Sequence, residues 1–191
     1  MTEAMLSDIK EAVAVLKRGG VIIYPTDTVW GLGCDATNAE AVEKIYRIKR
    51  RNHAKALITL VDGLPMLERT VEGIPDVAYE LIDCSDKPIS IIYDRGIGVA
   101  PNLTAEDGTL AVRVSKDEFS RELCRRFGRP VVSTSANESG APTPRNFREI
   151  SSDILASADY VCQTRRDDEV PHRSSTIIRL SKDGTFKIIR S

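Results

Sequence analysis

Short apolar segments of strand length alternate along this chain with segments of helical periodicity. The last two strand-like segments flank residues 182–184, which read Lys-Asp-Gly, a sequence that favours a tight hairpin turn. A hairpin pairs its strands antiparallel, so a purely parallel sheet is not expected. The pattern predicts an α/β (α+β) fold with a mixed sheet. The predicted strands cover residues 21–24, 56–61, 88–93, 109–114, 131–133, 160–162, 176–180 and 186–189.

Helices are predicted between these strands from apolar spacing and capping patterns. The first lies between Met5 and Leu16. The second begins with the capping pattern at Thr37, and a later one begins at Ser115 and stops before Gly128. The glycine- and hydroxyl-rich residues 26–33 are expected to form a loop. Two further helical stretches cover residues 64–71 and 76–82.

Length and charge restrict the class of protein. The 191 residues suit a single domain spanning residues 1–191, without repeats or a linker. The 27 basic and 28 acidic side chains nearly cancel, so net charge gives no argument for a polyanionic partner, although a local basic patch stays open. Residues 1–20 contain no long apolar run, which predicts a cytoplasmic protein without a signal peptide or membrane span.

Cysteines and histidines offer little for metal binding or nucleophilic catalysis. With no C-x-x-C pair and only two histidines, a zinc site is not expected, and the cysteines are interpreted as buried, reduced thiols. His53 and His172 lie in basic surroundings, so a Ser-His-Asp triad is poorly supported. No metal site is therefore predicted. The four cysteines are Cys34, Cys84, Cys124 and Cys162.

Three polar segments follow predicted strands or helices. Residues 24–28 read Tyr-Pro-Thr-Asp-Thr, and residues 133–140 read Ser-Thr-Ser-Ala-Asn-Glu-Ser-Gly. The first could hold a small zwitterion or a phosphate oxygen through hydroxyl and backbone N–H groups, or could be an ordinary turn. The second would allow the backbone to approach an anion closely. Residues 48–55 carry four cations, which fit either a solvated helix end or a phosphate clamp. A site of this kind acts by positioning and charge stabilisation, so the residues alone predict an anion or nucleotide site.

Taken in order, these segments resemble the YrdC-type L-threonylcarbamoyladenylate synthases. The resemblance rests on residues 19–32, the Lys-x-Arg pair at 49 and 51, and residues 133–140, and it extends to residues 109–114 and 174–178. It implies a YrdC-like twisted mixed sheet with flanking helices around a concave basic cavity. It also implies an ATP-dependent nucleotidyltransferase that joins L-threonine, bicarbonate and ATP, with Mg²⁺ carried by the nucleotide.

The resemblance implies a role for each matching residue. Lys49 and Arg51 would be catalytic, stabilising charge on the leaving pyrophosphate. Threonine would be held by Thr28, Arg113 and Ser175. The ATP site would comprise Arg51, Lys55, Thr109, Ser133, Ser135, Asn137, Thr143 and Arg190. The partners it implies are tRNA-modifying transferase proteins downstream, and direct RNA or tRNA binding stays open.

Some positions depart from the family pattern. Trp30 replaces a usual tyrosine, and Asn52 stands where proline commonly follows the Lys-x-Arg motif. The Pro-Gly-Pro stretch common before the mid-chain strand appears only as Asp-Lys-Pro at residues 86–88. Two other functions stay open: an RNA-binding or ribosome-associated protein without catalysis, and a carbamoyl-transfer module acting on another acceptor. Few aromatic side chains, 5% of the residues, weigh against the first.

Overall fold

The computed structural model describes residues 1–52, 57–170 and 173–191. Within these residues, nine strands form one twisted mixed sheet in the order β7-β1-β2-β6-β3-β5-β4-β8-β9. The prediction of a mixed-sheet α/β fold is thus confirmed. The strands are β1 Ile22–Tyr24, β2 Gly31–Gly33, β3 Ile58–Val61, β4 Ile89–Tyr93, β5 Leu110–Val114, β6 Val131–Ser135, β7 Tyr160–Val161, β8 Thr176–Leu180 and β9 Phe186–Arg190.

Helices flank the sheet. Helices α1 (Glu3–Lys17) and α5 (Glu118–Phe127) pack against each other, and α5 also packs against β3. The side chains of Ile9, Leu16, Phe119 and Leu123 from these two helices are fully buried, which places a large part of the core beneath the helix pair. The helices are α1 Glu3–Lys17, α2 Ala39–Ile48, α3 Leu64–Glu68, α4 Asp76–Cys84, α5 Glu118–Phe127 and α6 Ser152–Ala156, with a 3₁₀ turn at Phe147–Glu149.

The predicted hairpin forms between β8 and β9, which pair antiparallel. Its turn is closed by a hydrogen bond of 2.9 Å from the amide of Ser181 to the carbonyl oxygen of Thr185. Gly184 adopts a φ of +83°, a backbone conformation that glycine reaches without steric cost. The other end of the sheet is also mixed, because β1 pairs antiparallel with β2 and parallel with β7.

Strand β2 corrects the prediction that residues 26–33 form a loop. Gly31–Gly33 pairs on one side with β1 and on the other with β6. A Cβ atom at Gly33 would lie only 2.5 Å from the carbonyl oxygen of Val132 and 2.6 Å from the Tyr24 ring. Glycine is therefore used here because neighbouring groups approach the backbone closely, although glycine in isolation indicates a turn.

Two predicted helix caps are wrong by one or two residues. Asn38, not Thr37, caps α2, because the Thr37 hydroxyl instead donates to the Asp35 carboxylate at 2.7 Å. Asp117, not Ser115, caps α5 by accepting from the amide of Ser120.

The cysteines are free thiols, as predicted, and three of them are buried. Cys84 is exposed because it ends α4 next to a surface turn, so the expectation of burial was wrong for this residue. Among the described residues, none of the helices combines the length and apolar content that crossing a bilayer requires.

Candidate active site

One cavity on the sheet collects side chains that are far apart in the sequence. Its empty volume is about 580 Å³, including the part that is open to solvent. The lining residues are Thr28, Val29, Gly31, Arg51, Ile58, Arg113, Ser133, Thr134, Ser135, Ser174, Ser175, Ile177 and Arg190. Seven of the residues predicted from the family resemblance are in this set, so the sequence-distant motifs do converge.

Strand register assembles much of this cavity. Ser133 pairs with Ile58 across β6 and β3, and Ser135 pairs with Gly31 across β6 and β2. Paired residues on neighbouring strands project from the same face of a sheet. The serine-rich end of β6 is therefore flanked by small or apolar lining residues. This leaves its hydroxyl groups accessible from the cavity.

The cavity is positively charged. Three guanidinium groups line it, those of Arg51, Arg113 and Arg190, and no lining residue is acidic among those the structure describes. Burial lowers the pKa of Arg51 and that of Arg190, and the nearby charge of Arg113 lowers the Arg190 pKa further. Repulsion between buried like charges is relieved by an anionic ligand, so the cavity suits carboxylate or phosphate groups.

Arg113 forms an ion pair with Asp27, which does not line the cavity. Its side chain is only 3% exposed, and its Nη2 lies 3.1 Å from Oδ1 of Asp27. Burial raises the pKa of the Asp27 carboxyl although the Arg113 charge opposes this shift. The Nε of Arg113 is buried and has no hydrogen-bond partner among the described residues. Arg113 thus retains donor capacity after pairing with Asp27.

The hydroxyl of Thr28 can only accept hydrogen bonds from a ligand. Thr26 donates its single hydroxyl proton to the carbonyl oxygen of Val29 at 2.7 Å. Thr26 Oγ1 and Thr28 Oγ1 are 2.9 Å apart, so Thr28 must be the donor of that contact. Thr28 lines the cavity, and its remaining lone pairs are available to accept from a ligand there. An ammonium, amine or hydroxyl group is the matching ligand chemistry.

Ser175 immediately precedes β8 and also lines the cavity. The guanidinium of Arg190 donates to the Ser175 carbonyl oxygen through Nε at 3.2 Å and Nη2 at 2.9 Å. These bonds hold Arg190 at the wall of the cavity. The hydroxyl of Ser175 contacts that of Ser90, a fully buried residue of β4, at 2.9 Å.

Lys49 and Asn137 do not line the cavity. The Lys49 ammonium is buried and donates to the carbonyl oxygens of Ser135 and Asn137, both at 2.6 Å. Burial and, to a lesser degree, the charge of Arg51 lower the Lys49 pKa to about 8. The Asn137 amide donates to the carbonyl oxygens of Glu138 and Ala141. Both side chains therefore contact the segment that follows β6.

Of the three remaining predicted site residues, two do not line the cavity and one lies outside the residues that the structure describes. Thr109 donates its hydroxyl proton to Asp107 at 2.7 Å. Thr143 is an exposed loop residue. Lys55, like His53, lies outside the described residues, as does His172.

Sequence reasoning did not single out Asp27 or Ser90, although both contact predicted site residues. A signal for Ser90 was present: a hydroxyl stands between Ile89 and Ile91 in a predicted strand. Asp27 lay within a quoted motif, but only the fold shows its contact with Arg113.

The described residues contain no group of three or more His, Cys, Asp or Glu side chains that could hold a metal ion.

Comparison with known proteins identifies the family to which the chain is similar. A profile for Sua5, YciO and YrdC proteins, described as "Telomere recombination", matches residues 14–191. A protein of Stenotrophomonas maltophilia named threonylcarbamoyl-AMP synthase is 38% identical over 156 residues, which cover 80% of this chain and 84% of that protein.

Solved structures agree with this family. Escherichia coli YciO matches with a TM-score of 0.84 and 25% identity, covering 100% of this chain and 91% of that one. Sua5 of P. abyssi, solved in complex with L-threonine, matches with a TM-score of 0.79 and 27% identity over 90% of this chain. The chain spans 50% of the length of that Sua5 protein.

Proposed function

Because the chain belongs to the family of Sua5, YciO and YrdC proteins, we propose that it is an L-threonylcarbamoyladenylate synthase. The substrates are L-threonine, bicarbonate and ATP, the last as its magnesium complex. The products are threonylcarbamoyl-AMP, pyrophosphate and water. The reaction class is nucleotidyl transfer.

The observation that carries the proposal is the convergence of three arginines and several hydroxyl groups in one cavity. The substrates bring a carboxylate and a triphosphate, so two anionic groups must be bound close together. Arg51, Arg113 and Arg190 supply the positive charge for both.

Threonine binds at the end of the cavity formed by Thr28, Arg113 and Ser175. Arg113 binds the carboxylate, and the lone pairs of Thr28 accept from the amine or the hydroxyl of the substrate. The neutral amine attacks carbon dioxide and loses a proton, or attacks the carbon of bicarbonate with breakage of a C–O bond and release of water, and either route gives a carbamate. Burial of this end protects the carbamate from water until it reacts.

ATP occupies the rest of the cavity, along Arg51, Ser133, Ser135 and Arg190. A carbamate oxygen attacks the α-phosphorus, a new P–O bond forms, and the bond to pyrophosphate breaks. Arg51 stabilises the charge that develops on the leaving pyrophosphate. We assign Lys55, Thr109 and Thr143 to the same substrate on the family resemblance. Lys49 and Asn137 support the ATP site indirectly, because their hydrogen bonds hold the segment after β6 in place.

The product serves the modification of tRNA at the adenosine beside the anticodon. A separate transferase consumes it, since the cavity binds the small substrates and not the acceptor base. A protein that works with such a transferase functions in the cytoplasm.

Purified protein incubated with ATP, magnesium, labelled bicarbonate and L-threonine tests the proposal. We expect labelled threonylcarbamoyl-AMP and pyrophosphate, both dependent on threonine. Absence of product together with salt-sensitive RNA binding would identify a non-catalytic RNA-binding protein instead. Carbamoyl transfer without a requirement for threonine would identify a carbamoyl-transfer module.

A further inference from the structure

Ser90 lies directly beneath the cavity, between residues that line it. In the β4–β8 pair it is opposite Ile177, and in the β4–β5 pair the register of Ile91 with Val112 places it opposite Arg113. Its side chain is fully buried. A serine at this depth is surrounded by few groups that can accept its proton, so the direction of its hydrogen bond can be deduced.

The Ser90 hydroxyl has one partner among the described residues, the hydroxyl of Ser175 at 2.9 Å. Ser175 lines the cavity and can donate to a ligand there, whereas Ser90 has no acceptor other than Ser175 among the described residues. A buried hydroxyl proton without an acceptor is costly, so the arrangement that pairs both protons has Ser90 donating to Ser175. Ser175 then keeps its own proton for a ligand in the cavity.

We propose that Ser90 is a positioning residue for the amino-acid substrate, which rests on the function proposed above. By donating to Ser175, it directs the Ser175 proton towards the carboxylate that Arg113 binds. A hydroxyl that already accepts a hydrogen bond is a stronger donor, because hydrogen bonds in series polarise one another. Without Ser90, the Ser175 hydroxyl can turn its lone pairs towards the carboxylate, which is repulsive.

Steady-state kinetics of Ser90→Ala provide the test. We expect the KM for L-threonine to rise roughly five- to tenfold, the effect of losing one hydrogen bond between uncharged groups. The KM for ATP and kcat should change less than about twofold, because the change affects the binding of one substrate only. Ser90→Thr keeps the hydroxyl and should restore most of the threonine affinity.

A double-mutant cycle shows whether Ser90 acts through Ser175. If it does, Ser90→Ala combined with Ser175→Ala should be no worse than Ser175→Ala alone. Ser115→Ala is the matched control: Ser115 is also buried, at 2% exposure, and its hydroxyl has no hydrogen-bond partner among the described residues. It should leave the KM for threonine unchanged.

Three results would overturn the inference: an unchanged threonine KM in Ser90→Ala, an equal rise in the KM for ATP, or additive effects in the double variant. Calorimetric titration with L-threonine gives a second measurement that does not need turnover. Wild-type protein that forms no product but binds threonine more tightly than Ser90→Ala would refute the proposed reaction and support the positioning role. Wild-type protein that does not bind threonine would refute both.

Discussion

The ammonium group of Lys49 lies 2.6 Å from the carbonyl oxygen of Ser135 and donates a hydrogen bond to it. In the opposite direction, the amide of Ser139 donates to the Lys49 carbonyl oxygen at 2.9 Å. The end of α2 and the segment after β6 are thus joined in both directions. Since Ser135 lines the cavity, Lys49 supports its wall from behind.

Replacing Lys49 with methionine should destabilise the protein by about 2–4 kcal/mol, because the carbonyl oxygens of Ser135 and Asn137 lose their hydrogen-bond donor. We expect kcat/KM to fall more than about tenfold as the Ser135 wall shifts. Urea unfolding and initial rates measure the two effects. Lys44→Met is the control, since Lys44 lies on the same helix and makes a single exposed hydrogen bond to Gly19. Equal effects of both changes would contradict this role.

The Lys49 pKa of about 8 predicts opposite pH trends for activity and stability. Between pH 8 and the ordinary value of 10.5, the folded protein binds fewer protons at this group than the unfolded chain. This group therefore makes the free energy of unfolding rise with pH across that window. Activity should fall across it, because the neutral amine no longer makes charged hydrogen bonds. A profile of kcat/KM against pH should show this decline in Lys44→Met and lack it in Lys49→Met.

Arg51 and Arg50 are adjacent but differ in role. Arg51→Ala removes a guanidinium from the cavity and should lower kcat/KM roughly 100-fold with little change in melting temperature. Arg50→Ala removes a surface ion pair to Glu138 at 3.4 Å from a side chain that is 78% exposed, which contributes little. Assays of threonylcarbamoyl-AMP formation by both variants make the comparison. Similar activities would show that the charge of Arg51 is not used.

Asp8 connects α1 to the segment after β7. Its carboxylate accepts from the Tyr160 hydroxyl and from the amides of Gln163 and Thr164, at 2.7–2.9 Å. Burial alone would raise the Asp8 pKa, but these hydrogen bonds outweigh it and lower the pKa. Its stabilising effect is therefore present above the ordinary pKa of 3.8 and is lost as the pH falls through the folded-state value.

Asp8→Asn should consequently lower the free energy of unfolding by about 1–3 kcal/mol at neutral pH and by less near pH 3. Urea unfolding at the two pH values provides the measurement. Glu11→Gln, an exposed change on the same helix, should have no effect at either pH. A constant difference between wild type and Asp8→Asn would show that charge does not contribute.

Gly33→Ala should destabilise the protein by about 2–3 kcal/mol, because the added methyl group would overlap the Val132 carbonyl oxygen and the Tyr24 ring. Gly63→Ala is the matched control, with its nearest neighbouring atom 3.8 Å from the added carbon. Thermal unfolding of both variants measures the difference. Equal melting temperatures would indicate that β2 shifts without cost.

Patterns of apolar spacing predicted most of the strands and helices, but β2 was missed. Three residues reading Gly-Leu-Gly have no strand signature of their own, and their structure is imposed by β1 and β6 on either side. Propensity describes local preference, whereas this strand forms because β1 and β6 pair with it on both sides, and the close approach of neighbouring groups at Gly33 requires glycine there.

The family resemblance predicted that the motifs converge on one cavity, whereas local sequence patterns alone could not. Thr28, Arg113 and Arg190 meet because strand order brings β5 and β9 to the same cavity as the loop before β2. The position of Lys49 behind this cavity could not be foreseen either. A cation that follows a helix can equally well be solvated or bind a ligand. Only the packing shows that the partners of Lys49 are carbonyl oxygens.

Since the cavity draws on residues from Thr28 to Arg190, neither end of the sheet can form it alone. A nucleotide or amino acid bound there is released when any of these strands separates. A ligand at 100 times its dissociation constant should then raise the free energy of unfolding by about 2.7 kcal/mol, because unfolding must release the ligand. Melting curves recorded with increasing ATP thus report on the integrity of the strands that line the cavity as well as on affinity.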